Sequence, residues 1–330
     1  MKKIAIAIDS LAGGGAEKVM LRVAEGFLKR GIAVTIYIRK MNIQHAVPQG
    51  INIVCLDDYK TKKRMKRKDY ALILNDLIKK EGTYEIILSN LESTDKIVKL
   101  LKMSNVYFVI LNTISKKLQN RYANSGLMGK LKYLREVYKF KKLYSNENII
   151  AISEGIKDDF LHTLNIKPKT MQTIYSPFDI DDIRDKANEV NELVPKEPYI
   201  IHAGRFLIEH KRQDILLKAY KKANVQEKLL IMGQGEDKER IINLIDELQL
   251  QDKVIMFDFQ KNPYPFIKKA NLMILSSDYE GLPTVVIDSL IVGTAVVSTN
   301  CKSGPSEILG NAFSDMLSEP GDIESLGKNI

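Results

Sequence analysis

Long apolar runs are missing from this chain of 330 residues. No stretch approaches the ~20 consecutive apolar residues needed to cross a bilayer, so no transmembrane helix is expected. The opening Met1-Lys2-Lys3-Ile4-Ala5-Ile6-Ala7-Ile8 superficially resembles a secretory leader, but Asp9 interrupts the apolar run too early for one. Cysteine is scarce. Cys55 and Cys301 are the only two, which makes no disulfide framework and no metal-ligand spacing and fits a reducing cytoplasm. No acidic D-x-D has the setting of a metal site. No internal repeat is evident, and no low-complexity tract beyond lysine runs. The N-terminal glycines are not followed by G-K-[ST], which excludes a Walker loop. They also lack the G-x-G-x-x-G pattern and its acid after the next strand, which speaks against NAD binding.

What remains is a soluble-globular composition, 45% hydrophobic and 28% charged, in a chain long enough for two α/β domains. The formal charge is +9, and it is unevenly placed. Residues 60–69 carry +6 through Lys60, Lys62, Lys63, Arg64, Lys66, Arg67 and Lys68 against Asp69, and residues 115–144 carry +8, leaving −5 for the rest. Two such one-sided segments fit attraction to an anionic surface or a lipid phosphate. They also fit two well-solvated helical faces. Nothing marks nucleic acid as a partner.

Strands separated by helical patterns run along the chain. Lys3–Asp9 reads as a buried strand, followed by Ala12-Gly13-Gly14-Gly15-Ala16-Glu17 and a helix with Val19, Met20, Val23, Ala24 and Phe27 at helical spacing. Strand, glycine loop and helix suit a phosphate or a sugar; an ordinary tight turn fits too. Further strands are expected at 32–38, 51–56, 85–89, 106–111 and 149–153, and helices at 60–80, 118–144 and 154–164. The region 118–144 has an expected break at Ser125-Gly126 and an apolar stripe of Tyr122, Leu127, Leu131, Leu134, Tyr138 and Leu143 among lysines and arginines. That pattern suits an interfacial helix and equally a helix packed on its own domain. Polar residues from Asp181 to Pro198 place a domain boundary near 180–196. The expected domains are 1–180 and 181–330.

The second half repeats strand-to-loop junctions rich in glycine and charge. After a strand at 199–203 come Gly204 and Arg205, with Lys211 beyond. Gly233-Gln234-Gly235-Glu236 follows a strand at 229–232. The run Leu272–Leu275 ends in Ser276-Ser277-Asp278-Tyr279-Glu280-Gly281-Leu282-Pro283-Thr284 and a helix carrying Asp288. A strand at 295–299 leads to Ser303-Gly304-Pro305 and Glu307. In parallel α/β sheets the carboxyl ends of strands line the ligand crevice. Loop N–H groups and helix dipoles there favour anions. Arg205 offers a planar fork for phosphate and Lys211 a mobile point charge. Read alone, Glu280 also fits a solvated loop acid, and Asp288 a complement to the helix dipole.

Taken in order, His202-Ala203-Gly204-Arg205 with Lys211, Glu280-x7-Asp288, Ser303–Leu309 and Tyr175-Ser176-Pro177-Phe178-Asp179 resemble the retaining, nucleotide-sugar-dependent family 4 glycosyltransferases. The ending after Ser303 resembles members that move N-acetylhexosamines in bacterial surface-glycan assembly. The resemblance implies the GT-B fold: α/β, with two Rossmann-like domains facing across a cleft. It also implies a C-terminal helix crossing back to the first domain, which is missing or shortened in a chain ending at Ile330.

The resemblance further implies an acceptor-side domain at 1–180 and a nucleotide-sugar domain at 181–330. It assigns catalysis to Arg205, Lys211 and Glu280. Donor contacts fall to Gly14, Gly15, Gly204, Gly233, Gly235, Phe257, Phe259, Gly281, Leu282, Pro283, Thr284 and Asp288. The loop at 257–260 receives the base, Glu280 the sugar hydroxyls and Asp288 the ribose, although Asp288 is one methylene shorter than the usual glutamate. Glu17 and Asn112 fall on the acceptor side, and Asn112 stands where a histidine is common. The implied reaction is hexosyl transfer, with an N-acetylhexosamine such as GalNAc or GlcNAc, from a UDP-sugar to a lipid-linked or surface glycan. It needs no cofactor and no metal. The implied place is cytoplasmic, peripheral at the inner membrane face through 60–68 and 116–142. A sugar-nucleotide epimerase or phosphorylase of the same fold, or a non-catalytic nucleotide-sugar binder, remain the competing readings.

Overall fold

The computed structural model describes residues 2–12, 14–122 and 125–330. Gly13 of the glycine loop lies outside the described residues, as do Ala123 and Asn124 at the expected break in the basic region. The chain divides into two compact units, Met1–Phe178 and Asp179–Ile330.

Unit 1 is built on strands β1 (Lys3–Ile8), β2 (Ala33–Ile38), β3 (Asn52–Cys55), β4 (Ile86–Asn90), β5 (Val106–Ile110), β6 (Asn148–Ala151) and β7 (Thr170–Thr173). Their order across the sheet is β3-β2-β1-β4-β5-β6-β7. Unit 2 contains β8 (Tyr199–Ala203), β9 (Lys228–Gly233), β10 (Val254–Asp258), β11 (Leu272–Leu275), β12 (Ala295–Thr299) and β13 (Leu317–Ser318), in the order β10-β9-β8-β11-β12-β13. The ladders between these strands are parallel. Strand order therefore reverses between β1 and β4 in one unit and between β8 and β11 in the other. At each reversal the helices that follow the strands diverge and leave a crevice at the carboxyl ends.

Covered parallel strands need apolar side chains on both faces. This is why Ile4 through Ile8 form an uninterrupted buried run. In unit 2, Ile200, Leu229, Ile231, Ile274 and Val297 pack with Leu216, Tyr220 and Ile241 from the flanking helices.

The first basic segment differs from expectation. The first helix there starts at Arg67, not Lys60, and runs to Glu81. The Asp69 carboxylate accepts from Lys66 N at 2.7 Å and fixes the start; the crowded cations before it stay in a bent segment. The 118–144 region forms two helices, Ile114–Tyr122 and Gly126–Tyr144. Leu143 leaves the expected apolar stripe, because it is buried against unit 1. The helix expected at 154–164 holds its α form only over Glu154–Asp158, and residues Asp159–Thr163 widen into a π-helical turn. Asp159 is buried there and accepts from the backbone N–H groups of Ile114 (3.0 Å) and Ser115 (3.1 Å). The polar stretch in which the domain boundary was expected holds a helix, Ile180–Ala187, capped by the Asp179 side chain.

Asp95 joins two elements of unit 1 through a buried carboxyl. Ser89 Oγ at the end of β4 and the Tyr144 hydroxyl at the end of the long helix each donate to it at 2.6 Å. Burial outweighs these hydrogen bonds and raises its pKa from 3.8 to about 7. The folded chain thus binds a proton there that the unfolded chain has released. Stability should fall as pH rises from about 3.8 to about 7 and level off above. In thermal melts across that range, Asp95→Asn should remove this fall and stand above the unsubstituted chain at the alkaline end.

Candidate functional site

The carboxyl ends of β8, β9, β11 and β12 are bound together loop to loop. Gly204 N donates to Met232 O at 2.9 Å. A Cβ at Gly233 would lie 1.8 Å from Gly204 O, and one at Gly235 would lie 2.2 Å from Phe206 O. Backbone meets backbone there, and only glycine fits. After β8 a single helical turn, Ile208–Lys211, presents His210 and Lys211. Ser276 Oγ donates to Lys211 O at 2.7 Å and Asp278 N to His210 O at 2.9 Å, which tie this turn to the β11 loop. Ser303 Oγ donates to Gly281 O at 2.7 Å. Gly304, at φ +95°, brings the β12 loop so close that a Cβ would meet Pro283 Cδ at 2.5 Å.

At the centre Lys211 Nζ lies 2.5 Å from Glu280 Oε1, with only 14% and 9% of the two side chains exposed. Burial alone would raise the Glu280 pKa; the Lys211 ammonium outweighs it and holds the carboxyl below its ordinary value. His210 stacks on Tyr279, ring centroids 4.1 Å apart and 9° from coplanar. Its Nε2 lies 2.8 Å from Tyr279 O, so this nitrogen carries the hydrogen and donates. Burial first, then the Lys211 charge, lowers the His210 pKa to about 4. His202 is fully buried and donates from Nδ1 to Ile274 O at 3.0 Å. Burial likewise lowers its pKa to about 4. Both imidazoles are neutral at physiological pH. His210 Nε2 also lies 3.9 Å from Glu280 Oε1, the oxygen that Lys211 holds.

Arg205 is exposed and has no ion pair among the described residues, although its charge is felt at His210. Leu282 is buried, Pro283 stands at the N-cap, and Thr284 opens the helix to Ile291. Asp288 is buried on that helix. The crevice therefore gathers Gly204, Lys211, Gly233, Gly235, Glu280, Gly281 and Pro283. Phe257 and Phe259 flank Asp258 at the end of the outer strand β10, where Asp258 pairs with Gly233 of β9. The Phe257 ring packs edge-on against Phe266 at 5.4 Å.

In unit 1, Gly14 caps the helix Gly15–Leu28. A Cβ on Gly14 would meet Glu17 Oε2 at 2.2 Å, whereas one on Gly15 would meet open space. Glu17 is buried. Asn112, after β5, accepts from Thr113 N at 2.9 Å. Sequence reasoning missed His45, whose ring nitrogen meets Gly14 O at 3.1 Å. It also passed over His202 and His210 as site residues. A histidine next to Lys211 and another two residues before Gly204 were the available signals.

Residues 183–330 match the family described as glycosyl transferases group 1. Unit 2 is a group 1 glycosyl transferase domain. Residues of this chain are similar in sequence to a Campylobacter jejuni enzyme named N-acetylgalactosamine-N,N'-diacetylbacillosaminyl-diphospho-undecaprenol 4-alpha-N-acetylgalactosaminyltransferase. The identity is 32% over 182 residues, 55% of this chain and 49% of that one. They are also similar to a lipopolysaccharide 1,6-galactosyltransferase of Escherichia coli, 30% identical over 179 residues, 53% of this chain and 48% of that one. The matches span about half the length of these two curated relatives. An Anabaena protein, HepE, solved in complex with UDP-glucose, is 16% identical and shares the fold over 99% of this chain and 88% of its own, with a TM-score of 0.75. The two units are the two Rossmann-like domains of the GT-B fold.

The transferase domain holds its crevice together by a buried ion pair, and such a pair is asymmetric in its energetics. Breaking it leaves an uncompensated charge and typically costs about 3–5 kcal/mol, whereas replacing both partners is often close to neutral. Lys211→Met should lower unfolding stability in urea by that order. Adding Glu280→Gln should restore most of it.

Proposed function

We propose that the chain is a retaining hexosyltransferase. It moves a sugar of the N-acetylhexosamine class, such as GalNAc or GlcNAc, from a UDP-sugar to a lipid-linked or surface glycan. It works at the cytoplasmic face of the membrane. The observation that carries this reading is the crevice of the transferase domain, where Lys211 is pinned by Glu280 and Arg205, exposed on the loop after β8, is close enough for its charge to be felt at His210.

When the donor's anomeric bond breaks, negative charge grows on the diphosphate. Arg205, Lys211 and the loop N–H groups meet that charge in a partly dehydrated site, where fixed donors act most strongly. On this reading these groups do the work a metal does elsewhere. The ammonium of Lys211 turns toward the phosphate oxygens, and this releases a lone pair of Glu280 to accept from donor-sugar hydroxyls. Asp288 takes the ribose hydroxyls. The ring passes through an oxocarbenium-like state, and the acceptor enters on the face the leaving group departs from, which retains configuration. The neutral imidazoles of His202 and His210 leave the cationic charge with Arg205 and Lys211. The relatives' names support the acceptor and sugar class, since one acts on a diphospho-undecaprenol-linked glycan and another on lipopolysaccharide.

The test is transfer from a panel of labelled UDP-sugars to lipid-linked acceptor, with analysis of the product's anomeric configuration. Arg205→Ala should cut turnover by about 10²–10³, the scale of losing one charge-stabilising donor, with an unchanged melting temperature. Undiminished turnover in that variant, or failure of every UDP-sugar to bind, would defeat the assignment.

A further inference from the structure

The helix Gly126–Tyr144 is apolar on two opposite sides. Its inner side packs on unit 1 through Phe140, Leu143 and Tyr144, and the Tyr144 ring meets Phe108 and Phe160 at 5.8 and 5.5 Å between centroids. That side completes the domain's core. On the outer side Leu127, Leu131, Leu134 and Tyr138 are 78%, 56%, 53% and 67% exposed, and Met128 beside them is 61% exposed. Residues turn about 100° each, so these four fall within about 60° of one another and nearly opposite Phe140, along ~17 Å of helix. Single exposed leucines need no explanation. A continuous stripe pointing away from a finished core does.

Cations border the stripe on both sides. By the same rotation Lys130 and Lys141 follow one edge, and Arg135 and Lys142 the other, with Lys132 and Lys139 just beyond. Glu136 is the only acid of the helix. It is turned toward the inner side and pairs with Lys139 at 2.5 Å. An apolar strip edged by lysine and arginine is the pattern of a helix lying in a lipid headgroup layer. A second copy of the chain fits poorly, because facing stripes would bring six like charges against six. Residues 60–66 carry cations without a stripe, and Lys60 is held by Asp57 at 2.6 Å. They can add long-range attraction but no insertion. No helix among the described residues is long and apolar enough to cross a membrane.

We propose that this outer face docks unit 1 onto an anionic bilayer. Leu127, Leu131, Leu134 and Tyr138 enter the boundary between headgroups and acyl chains, and the flanking cations meet lipid phosphates. The inference rests on the proposed function for its purpose, since a lipid-linked acceptor resides in such a bilayer. Vesicle binding requires no sugar nucleotide, so the two readings fail separately.

The experiment is co-sedimentation of the full chain with phosphatidylcholine vesicles and with vesicles that also contain phosphatidylglycerol. The chain should bind the anionic vesicles and bind phosphatidylcholine alone more weakly, with binding falling as salt rises. Leu131→Ser with Leu134→Ser should lower partitioning by about tenfold or more through lost apolar contact, at an unchanged melting temperature. Lys130→Glu with Arg135→Glu should lower it on anionic vesicles selectively. No binding to anionic vesicles, or undiminished binding by the double serine variant, would overturn the proposal. So would a dimer in sedimentation equilibrium that the serine variant dissociates, which would assign the stripe to a second copy. Transfer to a water-soluble acceptor should survive the serine substitutions; its loss would place the stripe in substrate binding instead.

Discussion

A charged lysine and a charged glutamate share a nearly dry crevice, and unit 2 is shaped by the need to keep them there. Removing either ion from water is expensive, and only close pairing with good geometry offsets it. Lys211 comes from the turn after β8 and Glu280 from the loop after β11, so the pair spans the two strands at which sheet order reverses. A loose loop could not hold a 2.5 Å contact between such distant parts of the chain. The hydroxyls of Ser276 and Ser303 fasten the loops to neighbouring carbonyls. The stacked pair of His210 and Tyr279 closes the remaining side. The histidines contribute by being uncharged: an imidazolium at either position would share Glu280 with Lys211 and spread the cation that a phosphate should meet.

The glycines serve the same end from the backbone side. At Gly233, Gly235 and Gly304 a single added carbon would strike a neighbouring loop. Close backbone approach packs four strand ends into one crevice and fixes its walls before any ligand arrives.

Much of this was readable in the sequence because the signals are local. Continuous apolar runs announced β1, β8 and β11, and glycine beside charge at four strand ends announced the crevice. What stayed hidden is non-local or weakly patterned. No sequence rule pairs Lys211 with Glu280 across 69 positions, and the sequence reading gave them separate tasks. Strand β7 and helix Ile180–Ala187 are short and mostly polar. Only Ile183 and Ala187 of that helix are buried, too few for a periodic signal. The basic run from Lys60 looked helical by composition, yet the capping carboxylate of Asp69 decides where the helix starts. Leu143 matched the exposed stripe roughly, and only the domain it faces shows that it belongs to the core.

The two units treat charge in opposite ways, and the contrast separates the proposed donor site from the proposed lipid-facing surface. In unit 2 the central cation is buried and paired with Glu280; on the proposed reading a ligand offers Glu280 hydroxyls and Lys211 phosphate oxygens together. In unit 1 the cations of the long helix are solvated, and their chief order is the apolar stripe between them. Such charges act over about a Debye length, ~8–10 Å in ordinary salt, and select for negative surface with no fixed stereochemistry. A buried pair is little affected by salt, whereas surface cations are screened by it. The proposed donor binding and the proposed surface attachment thus draw on electrostatic terms that hardly overlap, so a substitution directed at one should leave the other in place.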